Sequence, residues 1–280
     1  MIKIDAHQHF WQFDPIRDDW IEESMQVIRK DFLPEDLKPI LDKNGISACV
    51  AVQADQSEIE TEFLLNLATE NTFIKGVVGW VDLLDKRVGE RLAYYSENNL
   101  FKGVRHIAQG EADDFLLRSD FQAGIRQLAQ YGLTYDILVY AHQLTAATSL
   151  IQQFPNQRFV LDHIAKPQIS EGIKEQWIVD IRALAQYPNV SCKLSGMVTE
   201  TGDFQWVQKE FLPFLEQVVY AFGIDRVMYG SDWPVCLLAA SYEQQLAIVE
   251  NYIATFSTTE QAKIMGGNAI NFYNLSKAEI

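Results

Sequence analysis

The sequence has little cysteine, a deficit of positive charge and no long apolar run. Its three cysteines, Cys49, Cys192 and Cys236, are odd in number and far apart, so it supports neither a disulfide framework nor a zinc ribbon. The 23 Lys and Arg residues are outnumbered by 38 Asp and Glu residues, which gives a formal net charge of −15. A nucleic acid or an anionic membrane is therefore not an expected partner, because each would need a basic face. The N-terminus lacks an apolar signal core, which favours a cytoplasmic location.

The composition is that of a folded chain with a sizeable core. Of the 280 residues, 48% are hydrophobic and 22% are charged, which is typical of a globular protein and not of a disordered one. No stretch has the composition of a linker, and no sequence repeat is present. We therefore predict a single domain over residues 1–280, a length at which α/β barrels form one domain.

Short apolar runs alternate with longer segments of helical periodicity along the whole chain. Because most of these runs are apolar throughout, they are typical of parallel strands that are covered on both faces. Eight strand–helix units in this length favour a (β/α)8 TIM barrel over a doubly wound sheet, since no Gly-rich phosphate loop follows the first strand. The predicted strands are residues 2–6, 46–52, 74–80, 101–105, 134–140, 158–163, 189–194 and 226–231.

Several helix ends carry recognisable signals. Asn44-Gly45 and Tyr131-Gly132 are predicted to end helices, and Gly266 with Gly267 is predicted to stop the last one. Three helices are predicted to begin at a Ser that is followed three residues later by Glu or Gln, namely Ser57 with Glu60, Ser241 with Gln244 and Ser257 with Glu260.

The connection after the first strand, residues 7–45, is too long for one helix and its turns. Within it, residues 10–33 carry five large aromatic side chains. An insertion at this point lies over the mouth of a barrel. Two interpretations remain open, an aromatic plug over the core or a lid over a substrate.

Polar side chains gather where the predicted strands end, which is where TIM barrels build their active sites. His7 and His9 are two apart, and alternation along a strand sends both imidazoles to the same side, as a zinc site requires. His163 closes the sixth strand. Asp232 follows the eighth, as a general base or as the cap of the next helix. Arg105 closes the fourth, with an ion pair at the rim as the simpler interpretation.

Several motifs together give a family resemblance over residues 2 to about 275. Asp5-Ala6-His7-Gln8-His9 resembles the strand-one signature of the amidohydrolase superfamily, and Gly230-Ser231-Asp232 resembles its strand-eight aspartate. Other stretches are similar to the amidohydrolase-2 branch of sugar lactonases, the L-fuconolactonase-like group; they are residues 76–82, 102–106, 161–167, 192–196 and 268–273.

The resemblance implies a (β/α)8 hydrolase that opens a lactone. Asp232, His163, His7 and His9 match the catalytic positions, and Arg105 and His106 match positions that face the substrate. A cation at the end of strand four replaces the bridging Lys or Glu of members with two metals, so a binuclear site is not expected. The implied cofactor is none, or one divalent metal, zinc, held by His7, His9 and Asp232.

The predicted substrate is a small molecule, the lactone of a sugar acid similar to L-fucono- or L-rhamnono-lactone, opened by base-activated water. Its expected contacts are Arg105, His106, Trp80, His142, Lys193 and Trp233, each of which has a structural interpretation as loop packing, pocket filling or pairing with an acid. The alternatives are a metal-dependent decarboxylase of aromatic acids, a lactonase of dicarboxylated pyrones and a non-catalytic metabolite binder. A homo-oligomer also stays open.

Overall fold

The predicted (β/α)8 barrel is confirmed by the computed structural model, which describes residues 1–276. Eight parallel strands form one sheet in the order of the chain. Nearly all strand residues are buried, as expected for strands covered on both faces. The strands are β1 (Ile4–Gln8), β2 (Ala48–Val52), β3 (Ile74–Gly79), β4 (Phe101–His106), β5 (Thr134–Ile137), β6 (Phe159–Leu161), β7 (Val190–Leu194) and β8 (Val227–Tyr229).

The barrel closes where the end of β1 meets the segment that follows β8. The backbone N–H of Asp232 donates to the carbonyl of His7 at 2.8 Å, and the N–H of His9 donates to the carbonyl of Trp233 at 2.7 Å. These two bonds join residues at opposite ends of the chain. They also bring the predicted strand-one histidines beside the predicted aspartate.

A helix follows each strand, and two short helices come after them. They are α1 (Pro34–Lys43), α2 (Glu58–Glu70), α3 (Val88–Ser96), α4 (Ser119–Leu128), α5 (Leu144–Gln153), α6 (Glu175–Ala185), α7 (Leu212–Phe222), α8 (Tyr242–Ile253), α9 (Thr258–Ala262) and α10 (Asn268–Phe272). Within residues 1–276, no helix is both long and apolar enough to cross a bilayer.

The predicted starts at Ser57, Ser241 and Ser257 are confirmed, because each hydroxyl accepts the N–H three residues later. The predicted stop at Gly266 and Gly267 is wrong. A π-helical turn, Lys263–Gly267, carries the chain from α9 into α10. A Cβ on Gly266 would lie 2.5 Å from the carbonyl oxygen of Ile2, so this glycine permits close packing against the start of the chain.

The insertion between β1 and α1 contains one 3₁₀ segment, Glu23–Ile28, and a bridge between Trp11 and Phe32. Its buried aromatic rings meet edge to face, with centroids 5.6 Å apart for Trp11 and Phe32 and 5.1 Å apart for Phe32 and Trp233. These contacts make an aromatic plug. Trp20 packs against Trp11 but stays 39% exposed, which leaves its ring free to face a ligand.

Candidate active site

Three histidines and one aspartate from separate stretches converge at the carboxyl end of the barrel. The Nε2 atoms of His7 and His9 lie 3.2 Å apart, which confirms that both rings face the same way. The ring of His163 lies 4.4 Å from that of His7, centroid to centroid. Asp232 Oδ1 lies 3.3 Å from His9 Nε2 and 3.8 Å from the Nε2 atoms of both His7 and His163. All four predicted catalytic residues therefore share one buried site.

The Asp5 carboxylate holds the backbone next to Asp232 and next to the end of β1. The Asp5 carboxylate accepts the N–H of Ser231 at 2.9 Å and that of His7 at 3.2 Å, and it accepts the Tyr242 hydroxyl at 3.0 Å. Burial raises the pKa of Asp5 to about 6, although these hydrogen bonds act to lower it. Asp232 has a φ of +59°, and its carboxylate faces the histidines. Helix α8 takes its cap from Ser241, so Asp232 is not the cap of this helix.

A left-handed turn after β6 presents both His163 and Lys166 to the site. The four residues His163–Lys166 have φ values of 53°, 50°, 63° and 49°, although none is glycine. Such backbone is costly for L-residues and persists where its surroundings hold it. Here the Trp177 indole donates to the carbonyl of Ile164 at 3.0 Å, and the Lys166 ammonium pairs with Glu200 at 2.8 Å.

Burial and charge set opposite protonation states within the site. Burial lowers the pKa of His163 to about 4, although Asp232 and Asp162 act in the other direction. Burial lowers the pKa of His7 well below its ordinary value, and Lys193 adds to that shift. Burial alone would raise the pKa of Asp232, but the nearby His163 and the hydrogen bond with His9 outweigh it and hold it low. Near pH 7, Asp232 is an anion beside neutral His163 and His7.

Two buried cations lie against the ring nitrogens of His7, Lys193 at Nδ1 and Arg105 at Nε2. The Lys193 ammonium lies 2.6 Å from Asp136 Oδ2, 2.9 Å from Asp162 Oδ1 and 3.0 Å from His7 Nδ1. Arg105 Nη1 lies 3.2 Å from Asp162 Oδ2 and 3.3 Å from His7 Nε2. The ion pair foreseen for Arg105 is therefore present, with Asp162 as its partner.

The site opens into a cavity of about 220 Å³. This volume suits a ligand smaller than the drug-sized molecules that fill typical pockets. Polar groups form one part of its lining and apolar side chains the other. The lining residues are His9, Trp20, Ala54, Arg105, Ile107, Gln109, Leu138, His163, Lys166, Asp232 and Val235.

The other predicted substrate contacts lie in several places. His142 lines a larger outer cleft and pairs with Asp113 at 3.1 Å. The ring of His106 stacks on Phe115, and its Nε2 lies 3.0 Å from Glu111. Trp233 is buried in the aromatic plug.

Two further contacts were predicted. Trp80 is anchored through its backbone to the Thr61 hydroxyl, which both accepts from its N–H and donates to its carbonyl at 2.8 Å. Lys193 is completely buried and reaches the site through His7. Direct contact of these residues and of His106, His142 and Trp233 with substrate stays a prediction.

Sequence reasoning assigned no role to Lys166 or to the apolar wall of the cavity. Lys166 lies within the stretch that carried the family resemblance, three residues after His163, and that spacing was a usable signal. Trp20 belongs to the aromatic insertion, where nothing in the sequence separates a lining ring from a buried one. Leu138 follows β5 and Val235 follows β8, so the only sequence signal that they line the cavity was their position after a strand.

Donor atoms of His7, His9 and Asp232 lie within 4.8 Å of one another, and so do those of His7, Asp162 and His163. Imidazole and carboxylate donors are the types that bind zinc. The surroundings of His7 do not fit a metal, however, because Lys193 faces its Nδ1 and Arg105 faces its Nε2.

Comparison with known proteins places this site in a family. The amidohydrolase family profile matches residues 4–275. An L-fucono-1,5-lactonase of Burkholderia multivorans (strain ATCC 17616 / 249) is 38% identical over 286 residues, which cover 98% of this chain and 96% of that protein. An L-fucono-1,5-lactonase of Burkholderia ambifaria is 36% identical over 283 residues, with the same coverage.

A solved structure agrees with these matches. The crystal structure of a Burkholderia multivorans amidohydrolase with bound zinc superposes with a TM-score of 0.95 at 37% identity, and the match covers 99% of this chain and 100% of that one. Sequence and structure match over nearly the whole length, and this chain belongs to the amidohydrolase family.

Proposed function

We propose that this protein hydrolyses the lactone of a sugar acid similar to L-fucono- or L-rhamnono-lactone, with Asp232 as the general base. The observation that carries the proposal is the position of Asp232 Oδ1, which lies 3.3 Å from His9 Nε2 in the lining of a small cavity. The two relatives named as L-fucono-1,5-lactonases support the choice of substrate class.

The reaction begins with a water molecule between Asp232 and the lactone carbonyl. Asp232 takes one proton from the water, and the hydroxide adds to the carbonyl carbon to give a tetrahedral oxyanion. The C–O bond to the ring oxygen then breaks, and Asp232 returns the proton to that oxygen. The products are one carboxylic acid and one hydroxyl on the same open chain, and the carboxylate is ready for another cycle.

The oxyanion is stabilised by groups that already line the cavity. His163 Nδ1 lies 2.9 Å from the Ser195 hydroxyl. When this hydroxyl donates to Nδ1, the proton of the neutral ring is on Nε2, on the side of Asp232. Arg105 and Lys166 add positive charge at the same cavity. Groups held in place before the reaction stabilise developing charge without reorganisation.

The charges of the cavity favour a neutral lactone over a dicarboxylated one. Arg105 pairs with Asp162, and Lys166 pairs with Glu200. Each lining cation thus already has one acidic partner, and the Asp232 carboxylate also lines the cavity, so the two carboxylates of a dicarboxylate would meet no excess of positive charge there. The apolar residues Ile107, Leu138 and Val235 suit the carbon face of a sugar ring.

The proposal is tested by proton release in weak buffer against a panel of sugar-acid lactones, with and without a chelator. Each lactone that opens yields an acid, so a pH dye reports turnover. Turnover that survives chelation supports the Asp232 mechanism, and turnover restored only by zinc would replace it with a metal-dependent one. No turnover on any lactone would overturn the proposal, in favour of the decarboxylase or of a metabolite binder.

The role of Asp232 is tested with Asp232→Asn, which keeps the shape of the side chain and removes its basicity. We expect kcat to fall by about 10²- to 10⁴-fold, the usual contribution of a general base, with lactone binding retained. Asp225→Asn is the matched control, because the Asp225 side chain is 74% exposed and pairs with Lys263. Near-normal turnover in Asp232→Asn would remove Asp232 from the mechanism.

A further inference from the structure

Gln109 belongs to the lining of the small cavity and lies on a short 3₁₀ turn, Ala108–Gly110, that follows β4. The backbone of this turn is held on both sides of Gln109. The Gln143 amide donates to the carbonyl of Ala108 at 3.1 Å and to that of Glu111 at 3.4 Å. The turn therefore places the Gln109 side chain at the cavity before any ligand binds.

Two buried polar atoms of the cavity lining lack a partner in the described part of the chain. Among residues 1–276, Gln109 Oε1 is a buried acceptor without a hydrogen-bond partner, and Arg105 Nε is a buried donor without one. Both side chains line the cavity. Unpaired polar atoms are uncommon in protein interiors, because they give up hydrogen bonds to water and gain none in return. Two of them at one cavity indicate a ligand that supplies the missing partners.

The ionisable side chains of the lining, in contrast, each have a partner within the chain. These pairs are His9 with Val52, Arg105 with Asp162, His163 with Ser195, Lys166 with Glu200 and Asp232 with His9. Gln109 Oε1 has no such partner within residues 1–276, so it can accept a hydrogen bond from a ligand. We propose that Gln109 is a specificity-determining residue that accepts a hydrogen bond from one ring hydroxyl of the lactone, an inference that rests on the proposed function.

A hydroxyl is the group that suits both unpaired atoms. It donates through its proton, as Gln109 Oε1 requires, and it accepts through its lone pairs, as the Arg105 Nε–H requires. A carboxylate has no proton to donate at neutral pH, so it would place one acceptor against another at Gln109. A deoxy carbon would leave Oε1 buried and unpaired in the complex, and sites built to bind a hydroxyl discriminate strongly against ligands that lack it. Gln109 therefore selects a hydroxylated ring over a deoxygenated or an acidic one.

The test compares Gln109→Met with the wild type on a hydroxylated sugar-acid lactone and on its monodeoxy derivatives. Methionine keeps the length of the side chain and removes the acceptor. We expect kcat/KM for the fully hydroxylated lactone to fall by about tenfold or more, and kcat/KM for one monodeoxy derivative to stay within about twofold. Gln153→Met is the matched control, because Gln153 is exposed at the end of α5.

A merely structural role of Gln109 would give a different pattern. A variant that only disturbs the cavity loses activity on every lactone by a similar factor, the monodeoxy derivatives included, and that result would overturn the inference. We expect Gln109→Met to unfold at the wild-type temperature or above it, because Oε1 makes no hydrogen bond within residues 1–276 that the replacement could remove. If this variant does not fold, Gln109→Ala takes its place in the same comparison.

Binding of a lactam separates this inference from the proposed function. The lactam of the same sugar acid carries the ring hydroxyls but resists hydrolysis, so calorimetry measures its affinity without turnover. We expect the wild type to bind the hydroxylated lactam about tenfold more tightly than Gln109→Met, with no such difference for the matching deoxy lactam. This difference without turnover of any lactone would support the inference and overturn the proposed function. Lactone turnover that Gln109→Met leaves unchanged would do the reverse, and neither binding nor turnover would overturn both.

Discussion

Burial makes His163 a weak base and keeps it neutral beside the Asp232 carboxylate. Its pKa is lowered to about 4, so the ring gains its proton only well below the ordinary range of histidine. A protonated His163 would hold Asp232 as an ion-pair partner and make the carboxylate a poorer base. In the proposed mechanism, the active form of the pair is therefore neutral His163 with ionised Asp232.

We expect kcat/KM for a sugar-acid lactone to stay level from about pH 8 to pH 5.5 and to fall as the pH approaches 4. The sign follows from a lowered histidine pKa, which keeps the neutral form down to the shifted value. The measurement is a pH–rate profile of initial rates, corrected for uncatalysed opening of the lactone. A half-maximal rate near pH 6.5 would contradict this prediction, because it would indicate a histidine with an ordinary pKa.

At the residue scale, the sequence predicted the polar side chains that follow strands. It missed residues whose position depends on the path of the backbone in a loop. His7, His9, His163 and Asp232 were found because polar side chains at strand ends point to the mouth of a barrel. Lys166 was missed because it reaches the cavity through a left-handed turn, and this turn contains no glycine that would have indicated left-handed backbone in the sequence. The contacts of Lys193 with His7 join strands far apart in the chain, and no local pattern reports them.

At the scale of elements, two loops fit together around His163. Gly196 follows β7 with a φ of +61°, and a Cβ at this position would collide with the ring of His163. The left-handed turn after β6 therefore requires a residue without a side chain after β7. The loops of neighbouring strands are coupled through this contact.

We expect Gly196→Ala to lower kcat/KM by more than tenfold, because the added methyl strains the backbone and displaces His163. Steady-state kinetics and thermal unfolding would measure the two effects. Gly110→Ala is the matched control, since no atom lies within 4 Å of a Cβ there. Wild-type activity in Gly196→Ala would show that the position of His163 is not set by this contact.

At the scale of the whole molecule, the periodicity of the sequence predicted the barrel. It did not predict which residues meet where the barrel closes. Eight apolar runs that alternate with amphipathic segments predict parallel strands, because parallel strands need a crossover between them, and the missing Gly-rich loop favoured a barrel over a doubly wound sheet. The bonds that join His7 and His9 to Asp232 and Trp233 depend on where the two ends of the sheet meet. A strand pattern predicts that the ends meet but not in which register.

One buried acid outside the candidate active site, Glu60, affects the stability of the whole chain. Glu60 accepts the N–H of Asp55 at 2.8 Å and that of Ala54 at 3.0 Å, and so fixes the loop after β2. Burial raises its pKa to about 8 in the folded state, from an ordinary value of 4.5. The folded chain holds this proton more tightly than the unfolded chain, so the free energy of unfolding falls as the pH rises from about 4.5 to 8.

We expect Glu60→Gln to remove this decline. Each unit by which a pKa is raised costs about 1.4 kcal/mol once the group is ionised, so the variant should gain several kcal/mol relative to the wild type between pH 5 and pH 9. Urea unfolding at pH 5, 7 and 9 would measure the difference. Glu70→Gln, on the exposed face of the same helix, is the control and should show no such trend. A difference between wild type and Glu60→Gln that stays constant with pH would mean that Glu60 is ionised in the folded chain throughout, with its charge balanced by the backbone N–H groups of its loop.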